Sequence, residues 1–351
     1  MGNYKRPQSI NQIPLIAFIT TMKKTYLVTG GTGFIGSALV RRLVKEGHKV
    51  RVLDNDLRGA KERLSDIIPK LEIIKADIRD SSAVANACKG VDSIIHLAYL
   101  NGTEFFYKYP ELVLDIGVKG MVNVIDGAIK HNIKEFILAS SSEVYQSPPF
   151  IPTDERVPLM IPDPLNPRYS YGGGKIISEL MTINYGKKHF DRAIIFRPHN
   201  VYGPDMGWEH VIPQFMERMK ILSAKQKNEA IQFPIQGTGN ETRAFIYIDD
   251  FINGLMAVLN KGKHLNIYHI GTMEEISVRG LANHIGKCFG KVIEQVHGPL
   301  TEGSIPRRCP DTSKLEKLGF APKISLQEGL NRTAEWYKAH NPPKNSLAKL
   351  I

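Results

Sequence analysis

Thr25-Tyr-Leu-Val-Thr29-Gly30-Gly-Thr-Gly33-Phe-Ile-Gly36 runs from an apolar strand pattern straight into three glycines at fixed spacing. The spacing has a physical reason. Gly30 permits a tight turn, Gly33 lets backbone approach a pyrophosphate, and Gly36 lets a helix pack closely on the strand. A helical pattern follows over 34–46, so its free N–H groups and dipole would face the anion. A lone glycine triplet can be a flexible loop. Placed between strand and helix, it reads as a dinucleotide site.

Outward from that turn, short apolar runs alternate with helical patterns as far as Arg197. The runs cover 25–29, 50–54, 71–75, 93–97, 136–139 and 193–196. This alternation predicts an α/β fold: a Rossmann-type doubly wound parallel sheet, with ligands at the carboxyl ends of its strands. A smaller C-terminal α/β lobe is expected from 198–240 plus 266–340. Residues 23–197 plus about 241–265 would form the first domain. Seven prolines between Ser147 and Pro167 mark a long loop.

Asp54 ends the second strand, where a carboxylate can accept hydrogen bonds from ribose hydroxyls and repel a 2′-phosphate. NAD is therefore expected rather than NADP, although Arg58 nearby could accommodate that phosphate. Asp77 and Ile78 end the third strand and Ala98 follows the fourth. All three are candidate cofactor contacts, with Phe34 and Ile35 at the glycine turn. Asp77 could equally be a helix N-cap.

Tyr171-Gly-Gly-Gly-Lys175 puts a phenol and an ammonium on one helix face. A free tyrosine titrates near about 10. A neighbouring ammonium and a positive nicotinamide ring both favour phenolate, which can take a proton from a sugar hydroxyl. The spacing alone is common, and three glycines are poor helix formers, so the helix is expected to begin only around them. Ser140-Ser-Ser-Glu143-Val-Tyr145 follows the fifth strand. It brings hydroxyls and a carboxylate to the same sheet edge, or is simply a serine-rich turn.

In this order, Gly30–Gly36, Asp54, Ser141, Tyr171 and Lys175 resemble the extended short-chain dehydrogenase/reductase family, with its nucleotide-sugar epimerases and dehydratases. The resemblance covers about residues 23–340. It implies that Ser141 assists Tyr171 and that Ser142 contacts substrate. Arg197-Pro-His-Asn200 resembles the family's strand-to-loop segment, whose Asn meets a sugar diphosphate. The segment Gly237 to Asp250 resembles the signature whose Arg, here Arg243, meets the nucleotide. Arg308-Cys-Pro-Asp311 resembles an Arg and Asp pair near the diphosphate and ribose. Arginine's planar fork suits phosphate oxygens.

The resemblance also has gaps. Dehydratases of the family carry Asp-Glu where this chain has Ser142-Glu143. His210-Val211-Ile-Pro213, with Arg218 eight residues after the His, is similar to a segment of GDP-fucose synthase and related epimerase–reductases, whose His is an acid/base. Their partner Cys stands at the Glu143 position. Glu143 could replace it if burial raised its pKa. His210 could instead merely touch substrate at a helix start. The family's Asn that organises the catalytic helix is replaced by Gly117, so a water or another side chain must fill its role.

The resemblance therefore implies an NAD-dependent nucleotide-sugar epimerase acting through a transient 4-keto sugar. Alternatives within the class are a 4,6-dehydratase, a C4 dehydrogenase or reductase, and a decarboxylase. A non-catalytic dinucleotide-sensing module is the competing class, disfavoured by the retained Tyr171 and Lys175. Family members often dimerise through two helices per subunit, here 110–130 and 171–189, so a homodimer is expected.

Composition narrows the field. The 351 residues carry a net charge of +11 and three scattered cysteines, with no metal-ligand spacing. Lys and Arg are dispersed, which argues against nucleic acid. No apolar run reaches membrane-spanning length, so no membrane partner is expected, and a reducing cytoplasm is the simple location. The apolar stretch 13–20 is a poor signal peptide, and Arg6 breaks a myristoylation motif. Residues 1–22 read as a flexible extension.

Overall fold

The computed structural model describes residues 23–226, 230–299 and 306–342, so the expected N-terminal extension lies outside the described residues. Seven strands form one sheet: β1 (Thr25–Thr29), β2 (Lys49–Asp54), β3 (Leu71–Lys75), β4 (Ser93–His96), β5 (Glu135–Ala139), β6 (Arg192–Pro198) and β7 (Asn266–Ile270). Their spatial order is β7-β6-β5-β4-β1-β2-β3, and every pairing is parallel. Such a sheet is buried on both faces, which is why its strands read as continuous apolar runs. Alternate residues feed opposite cores. Val28, Ile95, Ile137 and Ile194 pack on one face. Leu27, Ile94, Phe136 and Ile195 pack on the other.

The chain reverses direction across the sheet between β1 and β4. A crevice opens there at the carboxyl ends of the strands, where ligands of such folds bind. Gly30 lies after β1 on one side and Leu97 after β4 on the other.

Two segments fall on the other side of the expected boundary. Thr242–Ala244, expected in the first domain, joins a small sheet of the second lobe. β7, expected in the second lobe, pairs with β6 and closes the central sheet, Ile267 opposite Ile195. A five-residue strand after a lobe insertion carries no local mark of which sheet it joins; only its pairing partner decides. The helix Ile248–Lys261 returns to the first domain and packs on the helix Phe34–Lys45.

Val201–Tyr202 and Ile246–Tyr247 pair where the two parts join, and the remaining lobe holds two further small sheets and the helices Val211–Lys225, Val278–Cys288 and Leu326–Ala339. In one sheet, Thr242–Ala244 lies between Glu275–Ser277 and Arg307–Arg308. In the other, Ala230–Gln236 runs parallel to Val292–Gly298. No helix of the described residues is long and apolar enough to cross a membrane. No metal-binding group of His, Cys, Asp and Glu occurs among them.

Candidate active site

The glycine turn is built as its spacing requires. Gly30 has φ +74°, in the left-handed region that favours glycine. A Cβ on Gly36 would overlap the carbonyl of Gly30, so helix and strand could not meet at that distance. The helix Phe34–Lys45 has no acidic residue in its first turn and no side-chain cap. Its N–H groups are left for an anion. Asp54 accepts from the backbone N–H of Thr32 (3.0 Å) and of Asp56 (2.9 Å), which aims its carboxylate at the turn.

Beside the turn, a side cavity of about 120 Å³ collects Asp54, Asp77, Ile78 and Ala98 with Arg58. The N-cap reading of Asp77 does not hold. Asp80 caps the helix Ser81–Ala87. Asp77 instead accepts from the Arg79 guanidinium and Asn55, and Arg79 holds its carboxyl below the usual range.

The main cavity is about 530 Å³. It is lined by Gly30, Gly33, Phe34, Ile35 and Gly36 at one end. Ser141, Ser142, Glu143, Tyr171 and Lys175 line its middle, with Asn200, His210 and Arg308 on the second lobe. One space thus joins the glycine turn to the phenol–amine pair.

The helix Ser170–His189 begins close to its glycines, as expected, and runs straight through them. Four neighbours press on it. A Cβ at Gly172 would crowd Gln146 and the Glu143 carbonyl, one at Gly173 would touch Ile161, and one at Gly174 would overlap the Tyr99 hydroxyl. Close tertiary packing overrides glycine's poor helix propensity. Tyr171 and Lys175 consequently sit in the first turns, both buried.

Lys175 donates to the Ala139 carbonyl (2.7 Å), tying the helix to the end of β5. Burial pushes its amine down to about 7. Burial also raises the Tyr171 phenol, while a hydrogen bond with Ser141 pulls the other way. The protein alone therefore keeps this phenol protonated. It becomes a base only when further positive charge arrives beside it.

Glu143 pairs with Arg308 at 2.6 Å. Burial would raise its pKa, but Arg308, Arg168 and Arg243 together outweigh burial and hold the carboxyl below its usual range. The raised pKa that proton abstraction by Glu143 would need is not found. His210 stands at the N-cap of the helix Val211–Lys225 and faces the cavity. Burial lowers its pKa, so its imidazole is neutral.

Other expected contacts lie further back. Arg243 sits beside Arg308 in neighbouring strands. Burial and then Arg308 bring its guanidinium down to about 10. Arg218 donates to the Pro234 carbonyl and packs over Phe215 and Phe233. Asp311 accepts from Ser313, and neither it nor Val211 lines the main cavity. The proline-rich loop has a clear task. Thr153 N–H donates to the Cys309 carbonyl (2.9 Å) and Asp311 N–H to the Thr153 carbonyl (2.7 Å), which clamps the segment carrying Arg308.

Sequence reading missed Tyr99 and Glu209, both in the cavity wall. Glu209 meets Arg58 at 3.4 Å, linking the second lobe to the loop after β2. An acidic residue next to His210 was the only signal. Tyr99 carried none, because it follows β4 as an ordinary aromatic.

The matching family model, the NAD dependent epimerase/dehydratase family, spans residues 26–271. The chain belongs to the NAD-dependent epimerase/dehydratase family. Its cofactor is accordingly NAD, which the glycine cradle and Asp54 fit. Relatives within the family differ in reaction. A putative UDP-glucose 4-epimerase of Methanocaldococcus jannaschii is 34% identical, covering 90% of this chain and 99% of the relative. A UDP-N-acetyl-alpha-D-glucosaminuronate decarboxylase of Bacillus cytotoxicus is 30% identical, covering 90% and 98%. The fold also matches the Streptomyces venezuelae dTDP-glucose 4,6-dehydratase DesIV, a double mutant crystallised with NAD. The TM-score is 0.77 at 29% identity, covering 89% of this chain and 96% of that one. The chain is thus an enzyme of the nucleotide-sugar epimerase, dehydratase and decarboxylase group.

Proposed function

We propose that this enzyme is a nucleotide-sugar 4-epimerase acting on a UDP-sugar. The observation that carries the reading is the lock between Glu143 and Arg308. A 4,6-dehydration needs an acid where Ser142 stands. Epimerisation next to a ketone needs a base stronger than Glu143, whose pKa the surrounding arginines hold down. Inversion at C4 needs neither. Bound NAD supplies a hydride acceptor and donor at the sugar carbon. Tyr171 takes the C4 hydroxyl proton and later returns it, with Ser141 holding the phenol in line. Lys175 supplies positive charge behind the phenol. Asn200 and Arg308 hold the diphosphate side, and His210 contributes a neutral hydrogen-bonding ring.

Arg308 supports a second reading. A guanidinium in the cavity wall would also hold a hexuronate carboxylate, as decarboxylation requires. The test is incubation with UDP-glucose, UDP-N-acetylglucosamine and UDP-glucuronic acid, followed by mass and NMR analysis. Unchanged mass with inverted C4 supports the epimerase. Loss of carbon dioxide moves the assignment to the decarboxylase, and loss of water to the dehydratase.

The same reading includes a homodimer. Ile177, Leu180 and Tyr185 on the helix Ser170–His189 are exposed, as are Leu114 and Val122 on the adjoining helical stretch. These two elements pack against each other and leave an apolar outer face that a second copy would cover.

A further inference from the structure

Tyr99 lies against both Lys175 and Tyr171. Lys175 Nζ stands 4.0 Å from the centre of its ring, closer than the 5.8 Å to the Tyr171 ring. The Tyr99 and Tyr171 rings meet edge to face, 5.0 Å between centres at 84°. Its hydroxyl is buried without a hydrogen-bond partner. That hydroxyl is wedged between two helices, and each clears space with a glycine. A Cβ at Gly117, or at Gly174, would overlap it. Gly117 belongs to a π-helical turn, Asp115–Lys119, that interrupts the helical stretch from Pro110 to Lys130. It is also the position where the family resemblance leads one to expect an organising Asn.

From this geometry we infer that Tyr99 is the positioning residue of the catalytic lysine, filling the space vacated by the missing Asn, with Gly117 and Gly174 present to admit it. The ring face attracts an ammonium. Its edge contact with Tyr171 fixes the distance between phenol and amine. The wedge between the two helices keeps Lys175 from retreating along the β5 carbonyls. The hydroxyl has no partner, so the ring does the positioning. The amine is also faced by His96 on β4, by Tyr171, and by Glu179 one turn on, whose charge favours protonation. Of these contacts, the one that varies with residue 99 is the ring.

The inference rests on the role proposed above for Lys175, and two measurements separate them. The first is folding stability in a cycle of Tyr99→Ala and Gly117→Asn, which needs no turnover. Gly117→Asn lowers the Tm in the parent, where the new side chain collides with the phenol. It raises the Tm in the Tyr99→Ala background, where it fills the hole. The same direction of change in both backgrounds overturns the shared-space argument.

The second is the pH dependence of NAD affinity by calorimetry, with Lys175→Met identifying the lysine's titration. Tyr99→Phe leaves its midpoint at the parent value. Tyr99→Leu moves it to lower pH by about half to one unit, because the charged amine loses its ring. An unmoved midpoint in Tyr99→Leu, or an equal shift in Tyr99→Phe, overturns the positioning role. If instead Tyr171→Phe turned over the UDP-sugar panel as fast as the parent, the proposed function would fall while both Tyr99 measurements stood.

Discussion

Glu143 and Arg308 stand 165 residues apart in the chain and meet at 2.6 Å in the wall of the main cavity. The pair links the turn after β5, which carries Ser141, to a strand of the second lobe. Two clamps hold it. The proline-rich loop fastens the backbone after Arg308, and Arg243 and Arg168 add positive charge around Glu143. The turn after β5 and the second lobe are joined through this bridge.

Removing the arginine is expected to loosen both. Arg308→Gln leaves a largely enclosed carboxylate facing only the more distant Arg168 and Arg243. The loss should be about 2 kcal/mol, less than for a fully buried pair because Glu143 keeps some solvent. The pair's pH signature has a definite sign. The folded Glu143 pKa lies below its unfolded value, so its stabilisation is present above the unfolded pKa and lost as pH falls through the folded one. Chemical denaturation across the acidic range should show a smaller acid loss in Arg308→Gln than in the parent. An identical pH dependence would refute the bridge.

Lys175 gives the opposite kind of signature. Its amine titrates at about 7 in the fold and near 10.5 when unperturbed, so the unfolded chain binds more protons between those values. Stability of the NAD-free enzyme should therefore rise as pH is raised from about 7 towards 10.5. Lys175→Met should remove that rise, be more stable than the parent at neutral pH, and be inactive. Denaturation curves taken across that window decide it. A variant that keeps the rise would place the effect elsewhere.

The fold was legible because the strands of a sheet buried on both faces must be apolar throughout, and the glycine turn carries steric demands that few other residues meet. The Tyr171–Lys175 pair was legible through helical spacing. Other features depend on pairings that only tertiary structure creates. β7 carries no local sign of its sheet. The state of Glu143 is set by arginines far along the chain, so burial alone gives the wrong direction. Three consecutive glycines argue against a helix locally, and only the pressure of Gln146, Ile161 and Tyr99 shows why the helix needs them.

Gly36→Ala tests the cradle. The added methyl would overlap the Gly30 carbonyl, so the helix must slide away from β1 and its N–H groups leave the turn. NAD affinity should fall by about tenfold or more, as expected for the loss of 1.4 kcal/mol or more of anion binding. Calorimetric titration with NAD measures it. Gly90→Ala is the control: that glycine has positive φ but open space, so it should cost stability without affecting NAD binding.

The exposed face of the helix Ser170–His189 yields the last expectation. Leu180 is 57% exposed and Ile177 41%, on the same helix whose first turns hold Tyr171 and Lys175. Isolated exposed leucines need no explanation, but a contiguous apolar face on two packed helices does. Leu180→Asp should leave the subunit fold intact, because the side chain already faces solvent within one subunit. It should convert a dimer to monomers, since a carboxylate buried at the centre of an apolar interface would be unpaired. Sedimentation analysis of parent and variant reads this directly. A parent that sediments as a monomer would exclude the dimer, and a dimeric Leu180→Asp would move the interface to another face.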